Sequence, residues 1–188
     1  TFSAWIRTSH KHTPSPGTIV SKPRKSGNSG SGLSLRVHGD PNNLAQMSLH
    51  NGSGYGSGQS GVSPTDNKWH HLVGTADGNA TRIYVDGVMV DEDVFTANGI
   101  TSTQPMAIGQ DNGVSGGAYF FQGIIDDVRV YDRALSAAEV AQLNKLETPP
   151  PAIAIISPTA GQTVLENNAT LSVALNGLGY HHWHYRLG

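Results

Sequence analysis

The sequence predicts an all-β chain: a two-sheet antiparallel sandwich with one short C-terminal helix, then part of a second β-sandwich. Three observations carry that expectation. Short runs that alternate apolar and polar residues recur at close spacing, with turn residues between them. Only one segment, Ser136 to Leu146, repeats its apolar residues at the helical period. A Pro-rich stretch then divides two β-rich parts of the chain.

Along the chain, Phe2–Arg7 sets Phe2, Ala4 and Ile6 against Ser3, Trp5 and Arg7. Thr18–Lys22 is a short β-branched run. In Leu33–His38, Leu33, Leu35 and Val37 share a face opposite Ser34, Arg36 and His38, and Leu44–His50 repeats the pattern with Ala45, Met47 and Leu49 inward. Trp69–Ala76 is mixed on both faces, as suits a strand near the middle of a sheet. Arg82–Val85 and Val88–Val90 flank Asp86-Gly87, a pair suited to a two-residue turn that needs positive φ. Met106–Gly109 and Phe120–Tyr131 complete the set. The Gly/Ser-rich stretches Ser26–Gly32 and Asn51–Gly61 are expected to be mobile loops. Gly56, Gly58 and Gly61 match G-x-G-x-x-G, but no helix follows and no βαβ unit surrounds them, so a dinucleotide site is not expected.

The helix is marked by a capping box, Ser136 with Glu139, and by an apolar stripe of Val140, Leu143 and Leu146. Residues 147–151 form a Pro-rich linker that stops it. A second β unit starts at residue 152 and is incomplete at residue 188, and its runs resemble the first strands of an immunoglobulin-like bacterial domain.

Composition narrows the function. Net charge is −2, from 12 basic and 14 acidic residues, which leaves no electrostatic footprint for nucleic acid. No apolar run approaches the roughly 20 residues that span a bilayer, so no membrane insertion is expected. Charged residues are only 14%, Gly numbers 23, and there is no Cys. That profile fits an extracellular β module that does not rely on disulfides. The chain opens directly on strand-like FSAWIR and is read as an excerpt of something longer.

The segments NKWHHLVGTADG, IYVDG and GIIDDVRVYDRALSAAEV occur in an order and spacing that resemble the laminin G-like, concanavalin A-like jelly-roll family, over residues 1–146. The resemblance implies a jelly roll, and within it a non-catalytic binding module, most often for glycans and sometimes for protein partners, strung along large secreted or cell-surface proteins. Members usually carry a further strand before FSAWI. Its absence here implies either that the excerpt starts late or that the sheet has an open edge to which a partner strand would add.

Candidate site residues follow from position. Strand alternation puts Asp126 on the same inward face as Ile124, Val128 and Val130. A carboxylate there needs a cation, a metal or backbone N–H groups to answer it. In related jelly rolls the Asp of a D-x-V-R-V-Y strand ligates a structural Ca²⁺, and Asp126 occupies that place. Asp127, facing out, is the second metal candidate, or a solvated partner of Arg129. Asp111 and Asn112 lie in the Gly-rich loop Gln110–Gly117, with Tyr119 behind them; a binding loop at a sandwich end and an ordinary turn both fit. Tyr119 and Tyr55 are candidate platforms for a sugar ring. The pairs His10/His12 and His182/His184 have i, i+2 spacing but no third ligand nearby.

No catalysis is expected. Glycosidases on such sandwiches project paired carboxylates into a cleft, whereas here Asp91 and Asp93 share a face with no third carboxylate in register. The expected function is carbohydrate recognition. The alternative is a structural or protein-contact module of an appendage or filament, without saccharide affinity.

Overall fold

The structure, a computed structural model, describes residues 1–23, 31–51, 54–96, 102–111, 119–146, 152–157 and 172–176. The chain divides into two compact units, Thr1–Lys145 and Leu146–Gly188.

In the first unit the alternating runs become strands β1 (Phe2–Arg7), β2 (Gly17–Lys22), β3 (Ser31–Val37), β4 (Ala45–Asn51), β5 (Tyr55–Gln59), β6 (Trp69–Ala76), β7 (Ala80–Val85), β8 (Val88–Val94), β9 (Ala107–Ile108) and β10 (Ile124–Val130). They form two antiparallel five-stranded sheets, ordered β10-β1-β6-β7-β8 and β5-β4-β3-β2-β9. Phe2, Ala4, Ile6, Leu72 and Ile83 from the first sheet meet Ile19, Leu35, Val37 and Met47 from the second. Jelly-roll architecture is thus confirmed.

The first sheet is covered on its other face too. Helix α1 (Ala137–Leu146) lays Val140 and Leu143, with Leu135, over Val73 and Tyr84. β1 is buried on both faces up to Arg7. The capping box forms in both directions: Glu139 N–H donates to Ser136 Oγ at 3.3 Å, and Ser136 N–H donates to Glu139 Oε2 at 2.8 Å. Leu146, expected in the apolar stripe, is instead 69% exposed.

Two further expectations change. Asn51–Gly61 is not simply a loop, since Tyr55–Gln59 pairs along its whole length with β4. The packing is close there: a Cβ on Gly56 would lie 2.5 Å from Phe95 Cβ, so something would have to move, and one on Gly58 would lie a tight 3.2 Å from the Ile83 nitrogen. Beside β1 there is no open edge, because β10 pairs on one side and β6 on the other. The sheet edges are β10, β8, β5 and β9.

The β7–β8 turn has Asp86 at φ 51° and Gly87 at φ 83°, as Asp-Gly requires. Asp86 also works outside its turn. Its Oδ2 is 2.9 Å from His70 Nδ1, while Asp66 Oδ1 is 3.0 Å from His70 Nε2. The Asp86 bond, with Asp66 adding to it against the cost of burial, raises the His70 pKa above its ordinary 6.5. The clamp's contribution is therefore full below pH 6.5 and is lost as pH rises through the higher folded-state pKa. We expect the urea midpoint of the wild type to fall between pH 6 and pH 9 more than that of His70→Gln. Parallel pH profiles would refute the clamp.

In the second unit, β11 (Ala152–Ser157) and β12 (Ser172–Asn176) form an antiparallel pair. The linker 147–151 and the pair His182/His184 lie outside the described residues.

Candidate functional site

The outward face of the β5-β4-β3-β2 sheet is built in rows. Ser21, Ser34, Ser48 and Ser57 stand opposite one another on four successive strands, so a row of small hydroxyl side chains crosses the sheet. On one side runs the row Gly32–His50–Tyr55, and on the other Arg36–Gln46–Gln59. Each flanking row is two residues away along the strands, so the walls stand about 13 Å apart at their bases. The serine row is the floor of a trough because its side chains are shorter than those of His50, Tyr55, Arg36, Gln46 and Gln59 on either side.

Arg36 spans this trough. Its Nε donates to Gln46 Oε1 at 2.7 Å within its own row, and its Nη2 donates to Tyr55 Oη at 2.9 Å on the far wall. The Tyr55 ring rests against His50, with centroids 4.6 Å apart. Between the Arg36 strap and β2 the trough keeps a small depression of about 20 Å³, lined by Lys22, Gly32, Leu33, Ser34, Arg36, Ser48, His50 and Asp111. That is room for about one water, far below the roughly 300–1,000 Å³ of enclosing small-molecule pockets, so the depression takes at most one small group of a larger ligand that lies across the trough. Among the described residues, neither the Ser34 nor the Ser48 hydroxyl has a hydrogen-bond partner. Ser34 is 5% and Ser48 1% exposed, so only the edge of each hydroxyl reaches the surface of the trough.

The structure sorts the sequence candidates. Asp111, 7% exposed, lines the depression, and Tyr55 braces its Arg36 wall. Asn112 lies outside the described residues. Tyr119, half-buried, is tied by its backbone to Asp111 and Thr18 but does not line the depression.

Asp126 is exposed, not inward. A β-bulge in β10 opposite Ser3–Trp5 adds one residue, and Asp127 takes φ 44° within it. One added residue reverses the alternation. Ile125 and Val128 thus pack on the core while Ile124 and Asp126 face away. Asp126 Oδ1 instead accepts the Asp127 N–H at 2.8 Å. Among the described residues no three His, Cys, Asp or Glu side chains are grouped to hold a metal ion. Asp126 and Asp127 are thus two outward carboxylates with no third such side chain grouped beside them among the described residues, where Ca²⁺ takes six to eight oxygens.

Asp91 and Asp93 are committed to structure. Asp91 Oδ2 accepts the Gln59 N–H at 2.8 Å, and Asp93 Oδ2 accepts the Ser57 N–H at 2.7 Å, both across to β5. A buried Ser3–His71 hydrogen bond of 2.9 Å pairs two side chains with no exposed surface.

Sequence reasoning missed Lys22, Arg36, Gln46 and His50. Alternation in β3 and β4 already placed Arg36 and Ser34 opposite the core residues. What it lacked was the register that aligns the serines, and that comes only from four strands pairing.

The comparisons agree with this architecture. Residues 1–141 match the family model of the concanavalin A-like lectin/glucanases superfamily. Among solved structures, the sialidase module CBM40 of Ruminococcus gnavus superposes with a TM-score of 0.61 at 16% identity, covering 76% of this chain and 80% of that one. Domain 4 of AbnA, an extracellular arabinanase from Geobacillus stearothermophilus in complex with arabinotriose, gives 0.58 at 24% identity, covering 76% and 65%. A heptameric SAP-like pentraxin from Limulus polyphemus gives 0.59 at 17%, covering 93% and 80%. No curated protein matches the chain.

Proposed function

The chain belongs to the concanavalin A-like lectin/glucanases superfamily, and from that premise we propose that it is a non-catalytic, carbohydrate-recognising module of a secreted or cell-surface multidomain protein. The observation that carries this reading is the serine-floored trough, where two partnerless hydroxyls lie between Arg36 and His50. A saccharide presents many hydroxyls and little apolar surface, so it needs donors and acceptors that no protein group has already satisfied. Two fold neighbours, the sialidase module solved with sialyllactose and the arabinanase domain solved with arabinotriose, bind sugars in their own structures. Their likeness supports the class of ligand, not its identity.

A binding role also suits the carboxylates. Glycoside hydrolysis uses two, separated by roughly 5–9.5 Å across the scissile bond. Among the described residues that line the depression Asp111 is the one carboxylate, while Asp91 and Asp93 are consumed by the backbone of β5.

Tyr55 is 41% exposed, so its loss should leave the fold intact. We expect Tyr55→Ala to weaken binding to glycan-array hits about tenfold, near 1.4 kcal/mol, with an unchanged melting temperature. An array without hits would sink the saccharide reading and leave the protein-contact module. In that case the exposed Ile124 and Val130 of edge strand β10 are the surface to mutate.

A further inference from the structure

The cations of this chain are not treated alike. Arg82 is bound by Asp77 and Glu92, Arg133 by Glu139, and Lys68 by Asp66. Arg36 and Lys22 differ. Among the described residues Arg36 has only the neutral acceptors Gln46 and Tyr55, and Lys22 Nζ has only the Gln104 carbonyl at 2.5 Å. A guanidinium carries five N–H donors in a fixed fork. Two are used here, which leaves three on a half-buried side chain that is already held in place. A half-buried charge bound only by neutral groups has incomplete compensation for its lost water. The depression that Arg36 and Lys22 share also contains His50, and among the described residues that line it Asp111 is the one carboxylate.

From this we infer that the ligand lying across the trough is an acidic sugar, whose carboxylate docks on the Arg36 fork while its ring lies along the floor beside Ser34. The inference rests on the saccharide reading and narrows it to a chemical class. A planar carboxylate matches the guanidinium fork by two parallel N–H···O bonds, which a neutral hydroxyl does not. Gln46 and Tyr55 hold the fork from behind, so little side-chain entropy is lost on binding. Lys22, at the β2 end, adds a point charge with two N–H donors still unused. The serine floor contributes no bulk, so a ring lies close to the strands with its exocyclic acid toward Arg36.

The test is calorimetric titration of the whole chain with trigalacturonate, its methyl ester, sialyllactose, lactose and a sulfated disaccharide, at low and high salt. Trigalacturonate or sialyllactose should bind about 10- to 100-fold more tightly than its neutral counterpart, the scale of hydrogen bonds to a charged group. The preference should shrink as salt rises. Arg36→Gln should abolish it at an unchanged melting temperature. Lys22→Gln, which leaves the Gln46–Arg36–Tyr55 brace alone, should reduce it severalfold. Equal binding of acid and ester overturns the inference while the saccharide reading stands. Binding of the sulfated sugar alone overturns the carboxylate fork. Failure of every sugar overturns both readings.

Discussion

Replacing Asp91 and Asp93 together by Ala is expected to destabilise the sandwich by about 2–4 kcal/mol, from about 1–2 kcal/mol for each lost charge-assisted bond at these half-buried positions. Both carboxylates reach from edge strand β8 of one sheet to edge strand β5 of the other, where they accept the Gln59 and Ser57 N–H groups. Between them Gly58 N–H donates to Thr81 Oγ1 at 3.0 Å. Three consecutive donors of β5 are thus answered from the opposing sheet. Alanine leaves two of them bare on a glycine-containing edge, which invites pairing with other chains. The double variant should therefore also associate as its concentration rises. Asp91→Asn with Asp93→Asn keeps an acceptor at each position and should recover most of the stability. Urea unfolding decides the matter: a loss under 1 kcal/mol for the double alanine would mean that water satisfies these donors equally well.

A comparable loss, about 3 kcal/mol, is expected for Gly74→Val. Gly74 sits in central strand β6, between Phe2 of β1 and Ile83 of β7. A Cβ there would lie 2.3 Å from Met47 Sδ and 2.7 Å from its Cγ. Met47 is fully buried and comes from the opposite sheet, so its thioether occupies the space that a side chain at residue 74 would take. Added bulk forces it off its rotamer or parts the sheets, typically at 1–3 kcal/mol for each such insertion. The melting temperature should drop by roughly 2–4 °C per kcal/mol in a unit of this size. Met47→Ala in the Gly74→Val background should cost less than Met47→Ala alone, with a coupling of about 1–2 kcal/mol. Additive losses would show that the socket is not shared.

Strands whose identity rests on their own side chains were legible in advance. β1, β3 and β4 announce their inward faces by alternation, and Leu35, Val37, Ala45 and Met47 are all buried where it puts them. The Ser136–Glu139 box and the Asp86-Gly87 turn are equally local, since each is settled by the chemistry of four residues or fewer. β5 was not legible. Its glycines carry no strand propensity, and its partners are β4 and two carboxylates more than thirty residues away in sequence. In the site, Tyr55 and Asp111 were picked for residue type and loop position, and the fold joins them to Arg36 and His50, which alternation had placed outward without a role.

From its sequence alone, then, the first unit is determined as an antiparallel sandwich with one capped helix, because alternation, turn chemistry and capping act over a few neighbouring residues. Tertiary structure decided which way Asp126 points and where the site lies. Asp126 turned on a single extra residue in the bulge beside β1, which reverses every side chain before it. The trough turned on register, since four serines from four strands make a floor only when pairing aligns them and Arg36 reaches across to Tyr55.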